Sequence, residues 1–184
     1  VRARAADEVR PEDRARDELE ARVAERTEAL RQQVQERESA EALARFWADH
    51  DWLTRLPNRR LLQAKLRESL ARSLRDGLSV GVLFIDMDGF KSVNDRLGHR
   101  EGDALLIKVA QALQSSVRAD DAVGRFGGDE FLVLASVRGQ AGARALALHM
   151  LEAVRRVSAG VPGGGVSASI GYAIAPADAQ HPLK

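Results

Sequence analysis

Four carboxylates in two short clusters give the first chemical hint. Asp86 and Asp88 stand in Ile85-Asp86-Met87-Asp88, and Asp129 and Glu130 follow Gly127-Gly128. Hard divalent cations such as Mg²⁺ or Mn²⁺ take oxygen ligands, commonly one or two carboxylates completed by substrate phosphates and water. Asp86 and Asp129 suit that task, because each falls where an apolar run meets a turn and a fold can bring such points together. Asp86 directly follows Val82-Leu83-Phe84-Ile85, and a carboxylate at the margin of a core is costly unless a cation compensates it. Asp88 reads equally well as a solvated turn residue.

Between the clusters, Asp88-Gly89-Phe90-Lys91 forms a turn entering a helix. The free N–H groups of a helix N-terminus attract phosphate, and Lys91 adds a point charge. Asn94 and Asp103 flank a break at Gly98-His99. A carboxylate can accept from the N1–H and N2–H₂ edge of guanine and an amide can pair with another edge atom; helix capping is the competing use of both side chains. His99 is expected to pack or cap rather than ligate.

The elements that must hold these residues follow from periodicity. Pro57-Asn58 opens a helix with Leu61, Leu62, Leu66, Leu70 and Leu74 as its apolar residues, and Gly77 stops it. Ser79 to Asp86 is a buried strand, Phe90 to Leu97 a short helix, and Glu101 to Val117 a longer one. Ala122 to Phe126 and Glu130 to Val137 form a hairpin turning at Gly127-Gly128. Gln140 to Ser158 is a helix, Pro162 to Gly165 a loop, and Val166 to Ala175 a strand. This order predicts an α+β fold with a mostly antiparallel central sheet flanked by helices.

Residues 1–50 differ in kind: they hold 10 basic and 13 acidic side chains, no Gly and one Pro. Good helix formers run from Glu12 to Ala48, predicting one long helix. Leu19 and Val23, then Leu30 and Val34, suggest a coiled-coil seam, with a four-residue stutter at Thr27 bringing the second pair into frame. A parallel dimer through this helix is expected, the alternative being a solvated single helix laced with i,i+4 ion pairs. Two regions result, a long coiled-coil-like helix over 1–50, expected to act as a signalling connector if the domain it precedes is an enzyme, and a mixed α and β domain over 51–184.

Over all 184 residues, 28 Lys and Arg against 27 Asp and Glu leave a net charge of +1, which argues against a dedicated nucleic-acid binder. The absence of Cys excludes disulfides, thiolate metal sites and a cysteine nucleophile, and suits a reducing, cytoplasmic compartment. The longest apolar run is far short of the ~20 residues of a membrane span. The opening Val-Arg-Ala-Arg-Ala reads as a piece of a longer polypeptide.

Together, Asp51-Trp52-Leu53-Thr54-Arg55-Leu56-Pro57-Asn58-Arg59-Arg60, Asp86-Met87-Asp88-Gly89-Phe90-Lys91-Ser92-Val93-Asn94-Asp95, Gly98-His99, Gly102-Asp103 and Arg125-Phe126-Gly127-Gly128-Asp129-Glu130-Phe131 resemble the GGDEF-domain diguanylate cyclases from about residue 49 onward. The resemblance implies a nucleotide-cyclase, palm-like fold that condenses two GTP into cyclic di-GMP and two pyrophosphates, each domain of a homodimer holding one GTP. It implies that Asp86, Asp129 and the carbonyl of Met87 bind Mg²⁺ or Mn²⁺, and that Glu130 helps deprotonate the 3′-OH. Asn94 and Asp103 would read guanine, Gly89, Phe90 and Lys91 would hold phosphates, and Gly127-Gly128 would let backbone approach the nucleotide. Arg118-Ala119-Asp120-Asp121 is similar to the family's inhibitory product site, with Arg118 and Asp121 gripping cyclic di-GMP. Arg55 stands where the family usually has Gly, and the family's C-terminal helix and last strand are expected to lie beyond His181-Pro182-Leu183-Lys184. Two other readings stay open on the residues, a non-catalytic GTP- or cyclic-di-GMP-binding regulator and a purely structural connector.

Overall fold

The computed structural model describes residues 10–161 and 166–175. The chain forms two compact units, divided between Phe46 and Trp47. Helix α1 (Pro11–Asp49) supplies the first, one residue longer at each end than its composition predicts. Arg37 and Arg45 both reach Glu41, at 2.8 and 3.6 Å, across i,i+4 steps. Leu19, Val23, Leu30 and Val34 are each more than half exposed.

The second unit begins with the last three residues of α1, followed by a turn and α2 (Arg59–Asp76). Asn58 caps α2 by accepting from the Leu61 N–H at 3.1 Å, and Gly77, at φ +66°, ends it. The expected leucine stripe stops short: Leu74 is 60% exposed, while Ser73 is buried. Counting from Leu62, Leu66 and Ser73 recur on one face at 3.6-residue spacing, and Leu74 is rotated a further ~100° away. The Ser73 hydroxyl is satisfied locally, donating to the Leu70 carbonyl at 2.9 Å.

Four strands follow, β1 (Ser79–Asp88), β2 (Ala122–Gly127), β3 (Glu130–Val137) and β4 (Ser167–Ala175), in the order β2-β3-β1-β4. Every pairing is antiparallel. The helices are α3 (Phe90–Leu97), α4 (His99–Ser115) and α5 (Gly139–Ser158). Leu83, Ile85 and Met87 of β1 and Phe131 and Val133 of β3 join Val93, Val109, Met150 and Val154 of these helices in the main core. The alternate residues Val82, Phe84, Leu132 and Leu134 meet Leu62 and Leu66 of α2. Both faces of β3 are therefore covered, which is why Phe131-Leu132-Val133-Leu134-Ala135 is continuously apolar.

Several boundaries differ from expectation, most by one or two residues. β1 runs two residues further, to Asp88, because β4 continues to pair with it as far as Ser167. α4 starts at His99 and ends at Ser115, since Gly98, at φ +86°, alone separates it from α3. The hairpin turns at Gly128-Asp129 rather than Gly127-Gly128: Gly127 still pairs with Glu130 past an irregularity in β2. Of the two glycines only Gly128, at φ +42°, needs the left-handed region. The expected loop at 162–165 and the chain end after 175 lie outside the described residues. No helix among those described is long and apolar enough to cross a membrane.

Candidate active site

β1 delivers the first carboxylates and the β2–β3 hairpin the second. In the β1–β3 register Asp86 stands directly opposite Glu130, and in β1–β4 it faces Ser169. Asp86 and Glu130 are thus neighbours by strand pairing, both half-buried, and Asp129 precedes Glu130 in the turn. Two carboxylates directly opposed across antiparallel strands repel unless a cation or proton intervenes. Met87 points the other way, its side chain in the main core. Asp88 is exposed and accepts from the Ser169 hydroxyl at 2.9 and 3.0 Å, so it serves the β1–β4 join.

Among the described residues no three His, Asp or Glu side chains form a preassembled metal cage. The donor set nonetheless fits a hard cation of the Mg²⁺ type, which takes one or two carboxylates and draws its other ligands from phosphate and water.

Gly89, at φ +81°, leads into α3 without any side-chain cap, leaving the helix N–H groups unclaimed by a capping side chain. Lys91 in the first turn is exposed. Phe90 is buried in the main core, so only its backbone faces outward chemistry. Asn94 and Asp103 are half-buried and neither is a helix cap: α4 has no side-chain cap at all. Asp103, Gly127 and Gly128 line one cleft of about 490 Å³ with Leu53, Trp52 and Arg59. Asp86, Asp129, Glu130, Lys91 and Asn94 do not line it.

The turn before α2 holds the residues that carried no assigned role from sequence. Asp51 accepts from the Thr54 amide at 2.8 Å and the Thr54 hydroxyl at 2.7 Å, closing an Asx-type turn. Arg125 Nη1 donates to both Asp51 oxygens, at 3.0 and 3.3 Å, and its Nε and Nη2 donate to the Gly128 carbonyl at 2.8 and 2.6 Å. Burial raises the Asp51 pKa, but the Thr54 amide and hydroxyl and the Arg125 guanidinium together outweigh it and hold the carboxyl below its ordinary value. The turn rests on β2 through the Arg125 N–H, which donates to the Pro57 carbonyl at 3.0 Å. Gly124 makes that approach feasible, since a Cβ there would collide with Pro57 O and come within 2.6 Å of Leu62. Arg59 lies over the Phe126 ring at 4.7 Å. The Asp-x-x-Thr spacing and the Arg just before Gly-Gly were visible signals; their pairing across the chain was not.

Arg118 and Asp121 occupy the turn between α4 and β2, at the far end of β2 from Gly128, roughly 20 Å away at strand rise. Asp121 accepts from the Arg118 and Ser136 amides at 3.1 and 3.2 Å, so its carboxylate shapes the turn. The Arg118 side chain is exposed.

Comparison with known proteins places this geometry. The family described as "Diguanylate cyclase, GGDEF domain" matches residues 48–184. The chain is 45% identical over 135 residues to the bifunctional diguanylate cyclase/cyclic di-GMP phosphodiesterase MucR of Pseudomonas aeruginosa, covering 71% of this chain and 19% of that protein. The crystal structure of the coiled coil and GGDEF domain of DgcB from Caulobacter crescentus, in complex with cyclic di-GMP, aligns with TM-score 0.68 at 25% identity, covering 86% of this chain and 84% of that one. The diguanylate cyclase SiaD of Pseudomonas aeruginosa, solved with its activator SiaC, aligns with TM-score 0.64 at 34% identity over 88% of this chain and 63% of that one. The chain spans 18 to 32% of the length of the first curated relatives it matches. With an antiparallel β2-β3-β1-β4 sheet, paired carboxylates at the β1 end and a family match over three quarters of its length, the chain belongs to the GGDEF-domain family.

Proposed function

We propose that the protein is a diguanylate cyclase acting in the cytoplasm, joining two GTP into cyclic di-GMP with release of two pyrophosphates. The observation that carries this reading is the register that sets Asp86 opposite Glu130, one residue from Asp129. In each half-reaction the 3′-oxygen of one GTP bonds to the α-phosphorus of the other, the bond to the β-phosphate oxygen breaks, and pyrophosphate leaves. Glu130 takes the proton from the attacking hydroxyl. Asp103 accepts from the guanine N1–H and N2–H₂ edge and Asn94 pairs with a further edge atom. The N–H groups at Gly89 and Phe90, with Lys91, hold the phosphates. Gly127 and Gly128 let the hairpin backbone come close to the nucleotide. Asp86, Asp129 and the Met87 carbonyl are the ligands for Mg²⁺ or Mn²⁺, which when bound supplies charge neutralisation at phosphate and a lowered hydroxyl pKa.

One domain holds one GTP, so the reaction needs two domains facing each other. The exposed Leu19, Val23, Leu30 and Val34 of α1 suit a second copy of the same helix, which makes the protein a homodimer. The presence of all three carboxylates favours turnover over a purely regulatory role. The test is incubation of the full-length protein with GTP and Mg²⁺, followed by chromatography. Cyclic di-GMP and pyrophosphate should accumulate with the parent and not with Asp86→Ala or Glu130→Gln; equal product from either variant would remove the assignment.

A further inference from the structure

Gly102 lies inside α4, four residues after Gly98, where its N–H donates to the Gly98 carbonyl at 3.3 Å. Glycine is among the least favourable residues in a helix, and nothing in the backbone asks for one here: Gly102 is not among the positive-φ glycines. What the position does require is space. A Cβ on Gly102 would collide with Asn94 Oδ1, stand 3.0 Å from Asn94 Cγ and 3.2 Å from Phe90 Cζ. The Asn94 carboxamide therefore lies directly on the Gly102 backbone, in room that only a missing side chain provides.

We infer that Gly102 is a positioning residue for nucleotide specificity: its bare Cα seats the Asn94 carboxamide in the one orientation that recognises guanine. With Oδ1 against Gly102, the diverging Nδ2 amide is turned away from that contact and offers its donors to an acceptor of the base. Asp103 is the next residue along α4, so one helical turn fixes both members of the recognition pair, one by bearing it and one by making room for it. The Asn94 main chain is held within α3, its carbonyl accepting from Gly98 N–H at 2.9 Å, so a side chain at 102 can be accommodated only by turning the carboxamide. A methyl at 102 would force the carboxamide into another rotamer and move its donors out of place, while Phe90 needs only a few tenths of an ångström of adjustment.

The inference rests on the proposed reading of guanine, and the experiment separates the two. GDP and ADP serve as probes, because neither carries the leaving pyrophosphate and binding is measured without turnover. Calorimetry on the parent should show GDP bound more tightly than ADP. Gly102→Ala should weaken GDP by about tenfold, the scale of one misplaced hydrogen-bonding group, and leave ADP unchanged. In an Asn94→Ala background, where the carboxamide is gone and the methyl has room, Gly102→Ala should alter GDP affinity less than twofold. That double variant also carries the test if Gly102→Ala alone proves too unstable to titrate. A parent that does not distinguish GDP from ADP overturns the guanine reading and this inference together. A discriminating parent with an unaffected Gly102→Ala variant overturns the inference alone. So does equal weakening of both nucleotides, or a further loss of GDP affinity when Gly102→Ala is added to Asn94→Ala.

Discussion

Asp51 and Arg125, 74 positions apart in sequence, meet through both carboxylate oxygens, and the same guanidinium holds the Gly128 carbonyl. The turn that opens the domain is thereby tied to the turn that carries the carboxylates. Replacing Arg125 with Ala strips one anchor from each side and leaves the Asp51 charge, 17% exposed, without its partner. The expected loss is about 2 kcal/mol of stability, read by urea denaturation. Arg125→Lys should recover less than half of it, because a single ammonium cannot span both acceptors in the fork geometry.

The lowered Asp51 pKa sets a pH dependence. The unfolded chain takes up this proton at a higher pH than the folded one, so the contribution is full above the ordinary carboxylate range and disappears as pH falls through the lowered folded value. Thermal melts from pH 7 to pH 3 should show the parent losing more stability than Asp51→Asn in that acid window. Parallel curves would mean that Asp51 is not the group responsible.

Arg55 is the one described non-glycine residue with positive φ, at +60°. Its backbone carries the steric cost of the left-handed region, and its side chain is exposed. Arg55→Gly should raise stability by about 1 kcal/mol, measured by the shift in denaturation midpoint at unchanged slope. Arg55→Val, β-branched and poorly suited to that region, should move it the other way.

Much of this was legible in the sequence, for reasons that particular residues show. The extent of α3 from Phe90 to Leu97 follows from glycines on both sides, and β3 from an apolar run too short for a helix. The mostly antiparallel sheet follows from the order of helices and strands, but only β2 and β3 meet as a hairpin, and the pairing of β1 with both β3 and β4 joins strands that are not consecutive. Legibility failed where neighbours in space decide. Leu74 has the right type and nearly the right spacing, yet one position of rotation puts it in solvent. Gly127 and Gly128 look alike, and only the Gly127–Glu130 pairing tells which of them turns. Asp51 and Arg125 each stood in a recognisable motif, but nothing local says that two motifs share a salt bridge, and Gly102 shows its purpose only once Asn94 is seen lying on it.

Charge placed in the α1 seam tests the dimer. Leu30→Glu with Val34→Glu should set like charges against each other in paired helices. Turnover at low protein concentration should fall and return as concentration rises, since the tether no longer supplies an effective concentration of millimolar order. Sedimentation run alongside activity checks it: a variant that stays dimeric, or that turns monomeric at no cost in rate, removes α1 from this role.

The inhibitory product site that the family resemblance implies at Arg118 is tested by Arg118→Ala: if Arg118 grips cyclic di-GMP, the initial rate should stay within about twofold and inhibition by added cyclic di-GMP should be relieved, because the Arg118 turn lies at the opposite end of β2 from the hairpin and would act through coupling. Asp121→Ala should differ from it by also destabilising the domain, as two amides lose their acceptor. Progress curves with and without added product, beside a melt of each variant, distinguish the two.

The pairing of Asp86 with Glu130 has a consequence for how the chain finds its fold. Side chains alternate along β1, so sliding it by one residue against β3 would exchange its faces, driving Asp86 and Asp88 among the residues now packed around Leu83, Ile85 and Met87. Two uncompensated carboxylates would then be buried, a penalty large enough to empty that arrangement of population. The carboxylates of β1 thus also act as proofreaders of strand alignment, and a variant such as Asp86→Leu would lose more than the proposed ligand: it would make the misaligned sheet affordable.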